Sequence, residues 1–224
     1  MRRESCSIEF KPCKMQGFFL WNGATVNKIY ECAEAFKSLL ETKYCFTIVS
    51  NRKLKKIILD FEKEDFRHAS GLHYVDDISI EQNPVKLYNT ILEGALTDEV
   101  LAKSRKYILL NREGGSIQAR VEELCELETY LDKSDIIKIY EVQDFGSMIR
   151  ADYFIEATNL LRKTTVYIFI RKRLERDSYV IVSFFKKTVF YKGKIAYWMM
   201  KKKIVNGKEE LLYKNSSYVE KDKL

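Results

Sequence analysis

Proline and histidine are almost missing from this chain, two of each in 224 residues, and glycine is held to nine. So few prolines and glycines exclude Pro-rich or Gly-rich linkers, and residues 25–214 are therefore expected to form one domain. An N-terminal arm over 1–24 and a polar tail over 215–224 flank it. The five cysteines, Cys6, Cys13, Cys32, Cys45 and Cys125, are odd in number and never spaced as metal-binding pairs. That pattern argues against a disulfide framework and for reduced thiols. No run approaches the ~18 apolar residues that span a bilayer. The opening Met-Arg-Arg leads into mixed polar and apolar residues instead of a secretory apolar region. These absences give an expectation of a cytoplasmic protein with no membrane partner.

What is present is a sizeable core. Hydrophobic residues make up 46% of the chain, and fourteen tyrosines and thirteen phenylalanines favour half-buried sheet surface. The formal charge of +7 is unevenly spread: residues 151–224 carry 17 Lys/Arg against 8 Asp/Glu, and residues 1–150 carry 22 against 24. The positive excess thus belongs wholly to the last third, where a clustered field attracts polyanions such as RNA. A solvated lysine surface is the plainer reading of the same charges.

The pattern along the chain is helical first and β later. Thr25 is a candidate cap for a helix to about Glu41, with Ile29, Cys32, Ala33, Phe36, Leu39 and Leu40 at helical spacing. Segments 44–49 and 56–61 read as a β-hairpin, and 62–74 as a helix or helical turn bent at Gly71. Helices follow over 84–93, 98–106 and 116–131, the first entered by Asn83-Pro84 and the second by Thr97-Asp98. From Asp135 onward six strands are expected, 136–142, 150–157, 165–172, 179–185, 194–205 and 208–213. Asn206-Gly207 marks a type I′ turn between the last two. The short connections imply antiparallel pairing, so the fold class is α+β, helices packed on an antiparallel β-sheet.

Strand alternation separates two faces of that sheet. Tyr153, Ile155, Val166, Ile168, Ile170, Val180, Val182, Phe184, Ala196, Trp198 and Met200 form a nearly apolar set that should face the helices. Arg150, Asp152, Glu156, Tyr167, Arg171, Ser183, Tyr197 and Lys201 form the other face. Rings that stack bases and cations that hold phosphate make the second face a plausible RNA platform. A wet face with ordinary cross-strand charge pairs is the structural alternative.

The two histidines, His68 and His73, fall in one stretch, Asp65-Phe66-Arg67-His68-Ala69-Ser70-Gly71-Leu72-His73-Tyr74. Imidazole is the side chain best suited to acid/base work near neutral pH, although a hydrogen-bonded core histidine is the bland reading. On a continuous helix, residues five apart point about 140° apart, so the pair is poorly spaced for a metal. Gly114-Gly115-Ser116 lacks the lysine of a phosphate-binding loop, and no nucleophile elbow is present. Metal-free RNA cleavage, in which the substrate's 2′-OH attacks, needs only a base, an acid and cations. The available parts meet that need with no cofactor.

The stretch 65–74 following Leu59-Asp60-Phe61, then 149–155 (Ile-Arg-Ala-Asp-Tyr-Phe-Ile), Val182-Ser183-Phe184-Phe185 and the Tyr191-Lys192-Gly193-Lys194 segment leading to Lys201-Lys202-Lys203, resembles the phage-associated branch of the barnase/EndoU/colicin/RelE-like nucleases. The resemblance spans about residues 40–205. It implies a compact α+β domain of phage or mobile-element origin that acts on RNA in a bacterial host cell without metal. By position it places the family's histidine on His68, a hydroxyl-glycine step on Ser70-Gly71 and a serine on Ser183. Ala69-Ser70 stands where a leucine-threonine pair is expected. The resulting site has His68, His73 and Ser183 as catalytic residues and Ser70, Arg150, Tyr167, Arg171, Tyr197 and Lys201 as substrate-binding residues. His68 is general acid or base, with His73 its partner or a substrate-orienting group. Arg150, Arg171 and Lys201 would hold the phosphate, Ser183 would donate to it, and Tyr167 or Tyr197 would stack a base. The rival is a non-catalytic RNA- or protein-binding module on the same scaffold. The −2 charge of residues 1–150 leaves room for a protein partner, an inhibitor or a fused phage protein.

Overall fold

In the computed structural model the described residues are 27–109, 115–134, 136–143 and 145–220. The expected arm over 1–24, the Thr25 cap and the last four tail residues lie outside them. The helical part comprises α1 (Lys28–Leu39), α2 (Asp65–Ser70) with a 3₁₀ turn (Leu72–Tyr74), α3 (Pro84–Leu92), α4 (Asp98–Leu101), α5 (Arg105–Leu109), α6 (Ile117–Leu124) and α7 (Leu127–Asp132). The strands are β1 (Thr42–Ser50), β2 (Lys53–Asp60), β3 (Ile136–Tyr140), β4 (Tyr153–Asn159), β5 (Thr164–Lys172), β6 (Tyr179–Lys186), β7 (Gly193–Val205) and β8 (Lys208–Lys214).

Local chemistry accounts for the element ends. The Asn83 side chain accepts from the amides of Val85 and Lys86 ahead of Pro84, Thr97 accepts from Val100, and Ser116 accepts from Ala119, so each helix start has an orphan donor satisfied. The stretches expected as single helices at 98–106 and 116–131 are each divided in two. Asn206 and Gly207 take the positive φ values, 51° and 77°, that a type I′ turn requires.

The sheet departs from expectation. Its order is β1-β2-β6-β5-β4-β3-β7-β8, and β1 also pairs with β7. Seven strands therefore close into a barrel, with β8 added on β7. All pairings are antiparallel except β2 with β6, which meet in parallel at the one pair Leu59 and Tyr179. The expected antiparallel sheet is thus closed into a barrel, with one short parallel contact. Closure is possible because β7 is thirteen residues long. Residues 193–196 serve β3 and residues 197–205 serve β1.

One face of the strands points into the ring. Lys55 of β2 reaches the Tyr153 hydroxyl of β4 at 3.3 Å, past the two strands between them in the order. On this face Phe46, Ile57, Ile168 and Trp198 share a single core with the helix residues Phe36, Phe66, Val121 and Tyr130. The opposite face of β4, β5 and β6 carries a second, smaller cluster of Phe154, Tyr167, Phe169 and Phe185, covered by Tyr191 from the loop before β7. Phe169 and Tyr191 lie 4.9 Å apart, ring to ring. Among the described residues no helix is long and apolar enough to cross a membrane.

Candidate functional site

The histidine stretch is shaped by Gly71. Helix α2 ends at Ser70, and Gly71 takes a left-handed φ of +82°, a conformation that glycine adopts without steric penalty. The chain therefore turns back instead of continuing the helix, and the 3₁₀ turn brings His73 over His68 with ring centroids 4.6 Å apart. The divergence expected for a continuous helix does not arise. The far end of α2 is pinned by Arg173, whose Nη1 donates to Asp65 at 3.1 Å and whose Nε donates to Asp60 at 2.9 Å.

Both rings face an open cavity of about 1120 Å³. Its walls come from distant segments: His68 and His73 from α2 and its turn, Arg150 and Met148 from the loop before β4, Arg171 from β5, and Val180, Ser183 and Phe185 from β6. A bulge in β6 sets part of this wall. Phe169 pairs with Ser183 while the next residue, Ile170, pairs with Ile181, so Val182 is extra. The bulge resets the alternation, as inserted residues do. Phe184 belongs to the main core, Ile181 belongs to it and also borders the cavity, and Val180, Val182 and Ser183 line the cavity outside that core. Val180 and Val182 were expected to face the helices, and the bulge is why they do not.

The electrostatics favour neutral imidazoles. Desolvation, then the charges of Arg67 and Arg171, lowers the pKa of His68. Desolvation and the neighbouring His68 push His73 down to about 4, since burial and nearby positive charge both penalise the imidazolium. His73 Nδ1 lies 3.3 Å from the Arg67 carbonyl. A carbonyl only accepts, so Nδ1 carries the proton and Nε2 is left as the acceptor. Arg150 and Arg171 are exposed. Neither makes an ion pair among the described residues.

Four of the expected site residues lie elsewhere. Ser70 is fully buried, and its hydroxyl donates to the Phe66 carbonyl at 2.7 Å, which ties it to its own helix. Tyr167 is fully buried in the second aromatic cluster, because that sheet face is covered by Tyr191 and has no room for a base. Lys201 is buried and donates to the carbonyls of Ser134 (2.6 Å) and Asp132 (3.2 Å), so it links β7 to the end of α7. Tyr197 is exposed on β7 but is not part of the cavity wall. His68, His73, Ser183, Arg150 and Arg171 do come together there.

The cavity also holds a residue that sequence reading missed. Arg120 of α6 is 7% exposed, lies in the cavity wall and packs against the rings of Tyr74 and Phe185 at 5.9 and 5.5 Å. In Gln-Ala-Arg-Val-Glu-Glu it reads as an ordinary helix surface residue. The one available signal was its position one residue before the apolar Val121. Among the described residues no group of three or more His, Cys, Asp or Glu side chains is placed to hold a metal ion.

A closed barrel flanked by helices, with two imidazoles and the exposed Arg150 and Arg171 in one cleft, defines an α+β protein with a cationic cavity. The model of the phage-Barnase-EndoU-ColicinE5/D-RelE like nuclease4 family matches residues 28–219, nearly the whole described chain, and the protein belongs to that nuclease family. No curated protein and no solved structure matches it.

Proposed function

We propose that the protein is an endoribonuclease that cleaves RNA by attack of the substrate's own 2′-hydroxyl. The observation that carries this reading is the meeting of His68, Ser183, Arg150 and Arg171, from four separate segments, in one open cavity. A pKa lowered from 6.5 keeps His68 unprotonated at neutral pH, which is the state a general base needs. His68 takes the 2′-OH proton, the 2′-oxygen bonds to phosphorus, and the bond from phosphorus to the 5′-oxygen breaks. The leaving oxygen takes a proton from water in the open cavity, giving a 2′,3′-cyclic phosphate and a 5′-hydroxyl. Arg150 and Arg171 hold the non-bridging oxygens as charge builds on them, and Ser183 donates a further hydrogen bond.

His73 has a different part from a paired acid. At a pKa of about 4 it carries no ionised proton to give at neutral pH. Its Nδ1–H is engaged by the Arg67 carbonyl, so it positions the His68 ring. The test compares an RNA oligonucleotide with the same sequence carrying a single 2′-deoxy nucleotide at the cut position. The expected result is cleavage of the first to a cyclic phosphate end and no cleavage of the second at that position. Equal cleavage of both would refute 2′-OH attack, and binding of RNA with no cleavage would favour a binding module on the same scaffold.

A further inference from the structure

Two arginines of this cavity wall, Arg120 and Arg173, are little exposed, and they are treated in opposite ways. Arg173 is surrounded by carboxylates, with Asp60 at 2.9 Å, Glu62 at 3.4 Å and Asp65 also paired. Arg120 is the more deeply buried, and its Nε and Nη1 atoms have no hydrogen-bond partner among the described residues. No salt bridge reaches it among the described residues. Of the two carboxylates in the same cavity wall, Asp65 is engaged by Arg173, and Glu64 makes no ion pair with Arg120. A guanidinium removed from water without a counter-charge is strongly disfavoured, and proteins pair almost all of them.

The placement of Arg120 is also enforced from the opposite side. A Cβ added at Gly71 would stand 3.1 Å from both Cδ and Nη1 of Arg120. The same glycine that folds His73 over His68 thus leaves the space that the guanidinium fills. Tyr74 and Phe185 close on the guanidinium as rings, which hold a planar cation but do not neutralise it. Arg171 and Arg150 line the same cavity, so with Arg120 and Arg173 the wall holds four arginines against the two carboxylates of Glu64 and Asp65.

We infer that Arg120 is the anchor of a phosphate-binding site in this cavity, a preorganised guanidinium whose missing counter-charge is a phosphate group of the ligand. This deepens the nuclease reading by naming a substrate-binding residue, and it rests on that reading only for which phosphate is bound. A planar guanidinium fixed in place suits phosphate oxygens better than a mobile ammonium does. Its depth between Gly71 and the two rings gives the phosphate a fixed position relative to His68 and His73, whereas the exposed Arg150 and Arg171 supply mobile charge.

The test uses inorganic phosphate as the probe, with the full chain and no RNA. Thermal unfolding is followed as phosphate replaces chloride at constant ionic strength, for the wild type and for Arg120→Met. The wild type is expected to gain melting temperature with phosphate, as any ligand of the native state raises it. Arg120→Met should lose that gain, with apparent phosphate affinity at least tenfold weaker. In chloride alone Arg120→Met should melt at or above the wild-type temperature, because an unpaired buried charge has been removed. An Arg120→Met protein that unfolds, or melts lower in chloride, would show the guanidinium to be a core element and overturn the proposal. So would an unchanged phosphate response. Phosphate uptake through Arg120 by a protein that cuts no RNA would instead overturn the nuclease reading and leave this site standing.

Discussion

Protonation of His73 should destabilise the fold as pH falls, by a calculable amount. The folded state lowers the His73 pKa to about 4 from an ordinary value of 6.5, so between those values the unfolded chain binds a proton that the native chain does not. Stability is then fully present above pH 6.5, declines as pH falls below it, and stops declining below about 4. The full shift corresponds to roughly 3 kcal/mol, and about 2 kcal/mol of it is lost between pH 7 and pH 5. The assay is urea unfolding at a series of pH values for the wild type and for His73→Phe, which keeps a ring against Tyr74 and does not titrate. The difference in pH dependence between the two isolates His73, since His68 is the only other histidine and is present in both. Parallel stability curves between pH 7 and pH 5 would refute the claim that His73 is held neutral, and with it the assignment of His73 as a positioning residue.

Three further outcomes follow from particular contacts. Ser70→Ala removes one buried hydrogen bond to the Phe66 carbonyl and should cost about 1 kcal/mol in urea unfolding while leaving RNA cleavage within about twofold; a large loss of cleavage without loss of stability would return Ser70 to the site. Arg173→Met strands Asp65 and leaves Asp60 only a 3.7 Å contact with Arg176, both carboxylates being little exposed, and should destabilise by about 3–5 kcal/mol, readable as a lowered urea midpoint; a change under 1 kcal/mol would show that α2 is held by other means. Gly71→Ala forces a Cβ into a left-handed position against Arg120 and should cost about 1–3 kcal/mol, and it should also weaken the phosphate response, which an Ala accommodated without strain would leave intact.

Much of the fold was legible because its signals are local. Asn83-Pro84, Thr97 and Ser116 announce helix starts through their own side chains, and Asn206-Gly207 announces a turn through its backbone. Barrel closure was not legible, because it depends on β1 meeting β7 across more than 140 residues and on a parallel contact between β2 and β6 only one pair long. The bulge at Val182 was hidden for a related reason: Tyr179 to Phe185 alternates plausibly in either phase, and only the register with β5 fixes which side Val180 and Ser183 take. Tyr167 was misplaced because a polar-looking sheet face is exposed only if nothing covers it, and Tyr191, some two dozen residues later, does. The histidines, Arg150, Arg171 and Ser183 were singled out by residue type, and the fold brings them to one cavity wall. Arg120 was not, since nothing in its helix shows that its guanidinium would be buried without a partner.

The most direct measurement is single-turnover cleavage of a defined RNA by the wild type and by His68→Ala, each shown by circular dichroism to be folded. General-base catalysis is typically worth about 10²–10⁴-fold, so His68→Ala should cut slower by that factor, and the wild-type rate should rise with pH and level off below pH 6.5. Cleavage by His68→Ala at the wild-type rate, with the fold intact, would contradict the account.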